Sequence, residues 1–337
     1  MEDKKISFPK DDLPHSSIVE WWYFNGNLKT EDKKDVSFMS CLFKVDPKKV
    51  DLPFMEKINM DSLYFGHSLI SDISHGTFKA HTQIYKDVKN ESEKLQTLSL
   101  SAGDMEIREK DADTFSLRSL NIDLRFQSKK LPLLVGGGWV KLDSKDTYYY
   151  SRTNLYTEGT IIINGEAKKV SGKSWMDHQW SDQKHTDEDH WNWFSIQLEN
   201  NTEIVCFKYG NKKEKFMASI SYPDGSQIST EKVIFKTNDS LWTSPKTGAE
   251  YFLSWSIELP EFNMSFKTFP KQNDQEMIFL NINYWEGGID VLAVIDGKEV
   301  KGQGFTEIVG IMAKKEVISV YMNEAKDEFS KLILKRP

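Results

Sequence analysis

The chain has 337 residues, enough for two ordinary domains or one large all-β domain, and its 39% apolar and 28% charged content excludes a disordered chain. A net charge of −7 with no basic stripe excludes nucleic acid as the main partner. Two cysteines exclude a disulfide framework, and no pair of them has zinc-ligand spacing.

"MEDKKISFPKDD" at the start has no apolar leader core, so the chain as written is expected to be cytoplasmic, or periplasmic or secreted if it is a trimmed mature form. "HSSIVEWWYFNG" (15–26) follows, setting Glu20 against Trp21, Trp22 and Tyr23. Such a ring wall can hold an apolar substrate or a developing carbocation; equally, it plugs a barrel as core. "DVSFMSCLFKV" (35–45), "TLSLSAGDMEIRE" (97–109) and "SLNIDLRFQ" (119–127) alternate on a period of two and read as strands. The most apolar run, "LPLLVGGGWV" (131–140), is too short and glycine-rich to span a bilayer, so no stable membrane insertion is expected. "TYYYSRTNL" (147–155) offers the phenols of Tyr148, Tyr149 and Tyr150 and the Arg152 guanidinium to a pocket, or is a tyrosine-rich strand with one outward face.

"TIIINGEAKKV" (160–170), "EIVCFKYG" (203–210), "FMASISYPDGSQIST" (216–230), "YFLSWSIELP" (251–260) and "IDVLAVIDGKEVKGQG" (289–304) continue the pattern, with hairpin turns at "INGEA", "YPDGS" and "IDGKE". The tail "NEAKDEFSKLIL" (323–334) is the best helix candidate, with Ala325, Phe329, Leu332 and Ile333 at helical spacing. Many short strands separated by turns mean an all-β sandwich or barrel.

The pattern repeats. "EWWYFNGNL" at 20–28 aligns without gaps on "HWNWFSIQL" at 190–198, matching Trp21 to Trp191 and Tyr23 to Trp193, and "CLFK" (Cys41) then meets "CFK" (Cys206). The ends of the halves also match, pairing Glu158 with Glu286, Trp175 with Phe305 and Asp177 with Glu307. A duplicated β-domain follows, with halves at 8–184 and 185–337 and a polar linker, "SDQKHTDED", between them.

"SWMDHQW" (174–180) sets Asp177 and His178 between tryptophans. Strand alternation puts Trp175, Asp177 and Gln179 on one face and Met176, His178 and Trp180 on the other, unless a bend after residue 180 turns both members of the pair together. A carboxyl beside indole rings loses solvation and can stay protonated near neutrality as a general acid, with His178 as partner or base; the alternative is a buried, hydrogen-bonded peg. A metal is not expected: His178, His185 and His190 with Asp187 and Asp189 match no ligand spacing. No phosphate loop, dinucleotide fingerprint or nucleophile elbow is present, so no cofactor is expected.

Taken together, "HSSIVEWWYFNGNL", "YYYSRTNL", "GKSWMDHQW", "HWNWFSIQL", "YWEGGIDV" and "GQGFTE" resemble the carotenoid 1,2-hydratase-like family, also called hydroxyneurosporene synthase-like or AttH-like. Ser181 stands where the family has Gly, and Val309 and Ile311 depart from its closing motif. The resemblance implies two tandem lipocalin-like β-domains. It also implies chemistry on hydrophobic polyenes or polyketides: hydration of a terminal isoprenoid double bond, or cyclisation of the Diels–Alder type. On that basis the expected function is a cofactor-independent hydratase acting on an isoprenoid or polyene in a cleft between the domains. Asp177 would donate a proton to carbon and His178 would orient water. Trp175, Trp180, Trp22, Tyr23, Glu20, Tyr150, Arg152, Trp191, Trp193 and Glu286 would line the site. A lipocalin-like carrier and a cyclase are the alternatives.

Overall fold

The computed structural model of the chain describes residues 5–50, 60–85, 87–142, 145–183, 190–210, 213–238, 241–279 and 282–310. The tail read as a helix, most of the linker and the boundary drawn between 184 and 185 lie outside the described residues.

Alternating runs become antiparallel strands throughout. The first sheet holds β1 (Val19–Thr30), β2 (Asp35–Val45), β3 (Leu63–Asp72), β4 (Thr77–Tyr85), β5 (Val88–Asn90), β6 (Ser99–Ala102), β7 (Met105–Asp111), β8 (Thr114–Ser119), β9 (Ile122–Ser128), β10 (Leu133–Leu142), β11 (Lys145–Ile163) and β12 (Glu166–Ser181). Their order is β4-β3-β2-β1-β12-β11-β9-β8-β7-β6-β5, with β10 on β11, so the first and last strands of the half pair and the sheet curls into a nearly closed barrel. The second half supplies β13 (Trp191–Leu198), β14 (Glu203–Tyr209), β15 (Lys215–Ser221), β16 (Gln227–Thr230), β17 (Ile234–Thr237), β18 (Leu241–Thr243), β19 (Glu250–Phe252), β20 (Trp255–Leu259), β21 (Met264–Pro270), β22 (Glu276–Phe279), β23 (Ile282–Ile295) and β24 (Lys298–Val309). Here β16-β15-β14-β13-β24-β23-β21-β20-β17 form a half-barrel with β22 on β23, and β18–β19 stand apart as a hairpin. The expected tandem lipocalin-like all-β architecture is therefore what the chain adopts.

Turn chemistry explains the two long hairpins. Asn164–Gly165 and Asp296–Gly297 carry positive φ at both residues (52°/85° and 49°/77°), the conformation a two-residue turn needs to match strand twist.

Register tests the internal repeat. Tyr23 pairs with Asp177 and Asn25 with Trp175 in one half; Trp193 pairs with Glu307 and Ser195 with Phe305 in the other. Two finer matches are corrected. Tyr23 faces Cys41 whereas Trp193 faces Phe207, so the Cys41–Cys206 alignment is one residue out. That slip changes the face: Cys41 lies in the cluster between the halves, Cys206 inside the second sheet. Likewise Ser151 lies opposite Asp177 and Glu286 opposite Glu307, so the counterpart of Glu286 is Ser151. Glu158 is exposed opposite Ser171; only its shared Glu-Gly dipeptide drew it into the alignment.

Of the apolar clusters among the described residues, three frame the site. Trp22, Phe24, Leu28, Phe38, Phe126 and Met176 fill the first barrel, and Phe194, Ile196, Ile257, Phe266 and Ile289 fill the second sheet. The cluster between them mixes both halves: Tyr23, Met39, Tyr149 and Trp175 meet Trp193, Phe207, Tyr284 and Phe305. β1 and the end of β12 are therefore covered on both faces and buried almost continuously. Polar bonds pin the junction: Gln197 Nε2 donates to the carbonyls of Thr153 (2.7 Å) and Ser174 (2.9 Å), and Asn27 Nδ2 to that of Gly304 (2.9 Å). Gly288 lets the halves approach, since a Cβ there would sit 2.5 Å from Ser37 Oγ and 2.6 Å from Asn27 Oδ1.

Candidate active site

β12 runs straight through Ser181, so no bend reunites the Asp-His pair. Asp177 and His178 point to opposite faces, and each lies in its own buried polar cluster.

On the barrel-interior face, His178 Nε2 lies 3.0 Å from Glu20 Oε1, and its Nδ1 lies 3.2 Å from the Tyr150 hydroxyl. Tyr150 donates to Asp12 Oδ1 at 2.5 Å, and Arg152 Nη2 holds the same oxygen at 3.0 Å while its guanidinium stacks over Phe115. Glu20 also takes His15 Nδ1 (2.8 Å), the Ser17 hydroxyl (3.2 Å) and the Lys44 ammonium (3.1 Å). Burial pushes the Glu20 carboxyl up, but hydrogen bonds from His15 and His178 and the charges of His178 and Lys44 outweigh it and bring it down to about 2. Burial pushes His178 down, against the pull of Glu20. Trp22 stacks on His178 at 4.8 Å, and Trp180 stacks on His15 at 3.8 Å. A cavity of about 510 Å³ opens beside this cluster, lined in part by His15, Trp139, Tyr148 and Trp180. His15, Glu20 and His178 bring potential ligand atoms within 4.8 Å of one another. Glu20 Oε1 already lies between both rings and Oε2 against Lys44, which is the geometry of a hydrogen-bonded clasp tying residues 12–20 to β12.

On the opposite face, Asp177 is 4% exposed and receives Ser151 Oγ (2.6 Å), Trp175 Nε1 (2.6 Å) and the Tyr149 hydroxyl (2.5 Å). Trp193 Nε1 from the second half donates to Tyr149 at 2.8 Å. Nearby, Tyr23 donates to Glu286, Trp191 Nε1 to Glu307 at 3.0 Å, and His67 Nδ1 pairs with the Tyr284 hydroxyl at 2.6 Å. Burial, opposed by the bonds from Ser151, Tyr149 and Trp175, raises the Asp177 carboxyl to about 6. Burial also raises Glu307 to about 7 and Glu286 well above the carboxylate range, each further raised by a neighbouring acid. Burial takes His67 down to about 3, so it is neutral. The interface thus collects protonatable acids among phenols and indoles.

The structure divides the sequence candidates evenly. Asp177, Trp175, Tyr23, Trp191, Trp193 and Glu286 meet between the halves; His178, Trp180, Trp22, Glu20, Tyr150 and Arg152 meet at the barrel end. Sequence reasoning missed Asp12, His15 and Lys44 on one side and Ser151, His67 and Tyr284 on the other, while Tyr149 was among the phenols it offered to a pocket. Ser151 carries a signal in hindsight: on a strand paired with β12, it and Tyr149 are the residues facing Asp177's side.

Fold and site together define a protein of a nearly closed β-barrel and a half-barrel with an acid-bearing, aromatic junction between them. The chain belongs to the AttH-like family, whose model matches residues 1–311. The dehydratase asqC of Emericella nidulans is 22% identical over 210 residues, covering 57% of this chain and 58% of that protein, so the match spans less than two thirds of the relative. The crystal structure of an AttH protein of Nitrosomonas europaea superposes with a TM-score of 0.79 at 21% identity, covering 93% of this chain and 98% of that one. Kievitone hydratase of Nectria haematococca gives 0.74 at 17% identity, with 90% and 93% covered. At these identities the structural likeness speaks for the fold.

Proposed function

We propose that the chain is a cofactor-independent enzyme of the hydratase or dehydratase type, acting on a C=C bond of an apolar isoprenoid or polyene at the junction of the two halves. The observation that carries this reading is Asp177: a buried carboxyl held by neutral donors alone and raised to about 6. At pH 7 such a group is protonated in roughly one molecule in ten, about a hundredfold more often than an ordinary aspartic acid. The names of two relatives, a kievitone hydratase and a dehydratase, support the same class of chemistry.

In the hydration direction Asp177 gives its proton to the terminal carbon and becomes a carboxylate. The tertiary cation left behind faces Trp175, Trp193 and Tyr23, and water adds to it. Dehydration is the reverse. His178 acts from the other face of β12 as a positioning residue: its bonds to Glu20 and Tyr150 hold the strand that presents Asp177. Trp22 and Trp180 belong to that support. Among the described residues no helix is long and apolar enough to cross a membrane.

Incubating the protein with acyclic carotenoids and kievitone in ¹⁸O-labelled water, followed by mass spectrometry, tests the proposal. Label enters the product with the native protein and not with a folded Asp177→Asn variant. A ligand returned unchanged by both proteins would make the chain a carrier, and unlabelled cyclised product from both would make it a cyclase.

A further inference from the structure

The duplicated acid position differs between the halves in what stands opposite it. In the first half Ser151 faces Asp177 and donates to it at 2.6 Å. In the second half Glu286 faces Glu307 across adjacent antiparallel strands. Two carboxylates in that arrangement repel each other and have no hydrogen to share unless one keeps its proton. Their hydrogen-bond partners are the Tyr23 phenol on Glu286 and the Trp191 indole on Glu307, neither of which supplies a positive charge. Glu286 is 1% exposed, whereas Glu307 is half-buried.

A second observation points to a ligand. Asn25, 2% exposed, pairs across the sheet with Trp175 and Met39, which places it on the junction face two residues from Tyr23. Its Nδ2 has no hydrogen-bond partner among the described residues. A buried amide donor on the face that carries these acids is suited to an oxygen that accepts one hydrogen bond and gives another, as a hydroxyl or water does.

We propose that the junction takes a neutral apolar alkene and the alcohol it becomes, with Glu286 and Glu307 sharing one proton and exchanging it with the oxygen, of water or of that alcohol, that Asn25 holds. This rests on the water-adding reading of the site. Once Asp177 has protonated carbon and water has added, the oxonium loses a proton to the ionised member of the pair. Glu307, the half-buried member, returns a proton to the medium, and Asp177 regains one, so alkene plus water become alcohol with no other reactant. The same three acids exclude anionic isoprenoids such as diphosphates, because like charges brought together in a buried site repel strongly.

Tryptophan fluorescence titration with farnesol and with farnesyl diphosphate, which differ in charge and not in the chain, tests this without any turnover. Farnesol binds saturably and the diphosphate at least about tenfold more weakly. Asn25→Ala weakens farnesol severalfold, and the gap between the two ligands narrows to below about threefold in a Glu286→Gln/Glu307→Gln variant. Glu286→Ser, which copies the first half, serves if the double variant does not fold. Equal or tighter binding of the diphosphate, no binding of farnesol, or an undiminished gap in a folded variant overturns the proposal. Loss of labelled-water uptake in Asp177→Asn would be unaffected by any of these results, so the two readings fail separately.

Discussion

Replacing Asp177 by Asn exchanges a titrating buried group for a neutral one of the same shape, and its effect on stability should change sign with pH. The carboxyl ordinarily titrates at 3.8 and here is raised to about 6. A raised folded-state value means stability that is complete below the unfolded value and lost as pH climbs through the folded one. The native protein therefore loses ~3 kcal/mol between about pH 4 and pH 7 from this residue alone. Asn loses nothing over that range, but the Nδ2 that replaces Oδ2 cannot accept the proton that Tyr149 now donates at 2.5 Å, at a cost of about 1 kcal/mol. Urea unfolding of both proteins at closely spaced pH values should show the variant less stable by about 1 kcal/mol near pH 4 and more stable by about 2 kcal/mol at pH 7. Other titrating groups cancel to first order in that difference. Parallel curves, or a native protein that holds its advantage at pH 7, would refute the claim that Asp177 is a buried acid without a compensating cation.

Glu20→Gln should cost about 2–4 kcal/mol above pH 5, read by thermal unfolding, because it strands Lys44 and two imidazoles around a neutral amide. The native protein loses that contribution as pH falls from 4.5 toward 2, the range between the unfolded and folded values of this lowered carboxyl, and the variant lacks that loss. Gly288→Ala should cost about 1–3 kcal/mol and alter the near-ultraviolet circular dichroism, since its Cβ would intrude on Ser37 and Asn27 at the junction. An unchanged unfolding temperature would mean that the halves do not approach as closely as Gly288 implies.

Sequence alone determined the architecture, because a period of two with Asn-Gly and Asp-Gly turns admits little besides hairpins, and the pairing of Tyr23 with Asp177 recurs as Trp193 with Glu307. It also determined which residue types carry chemistry: Asp177, His178, Glu20, Glu286 and the tryptophans beside them lie in one of two buried clusters, whereas Glu158 is exposed. What alternation could not say is that both faces of β12 are covered. A strand with one wet face would have sent either Asp177 or His178 to solvent. The packing of the second half on the first gives Asp177 a dry junction, while the barrel end gives His178 a charged clasp. Register was the other decision of tertiary structure. The Glu286–Glu307 pair and the true positions of Cys41 and Cys206 depend on which residues oppose each other across strands, and a slip of one residue moves a side chain to the other face. His15, Asp12 and Lys44 reach the clasp only because the segment before β1 and the strand beside it fold over the barrel end, a contact that no local pattern encodes.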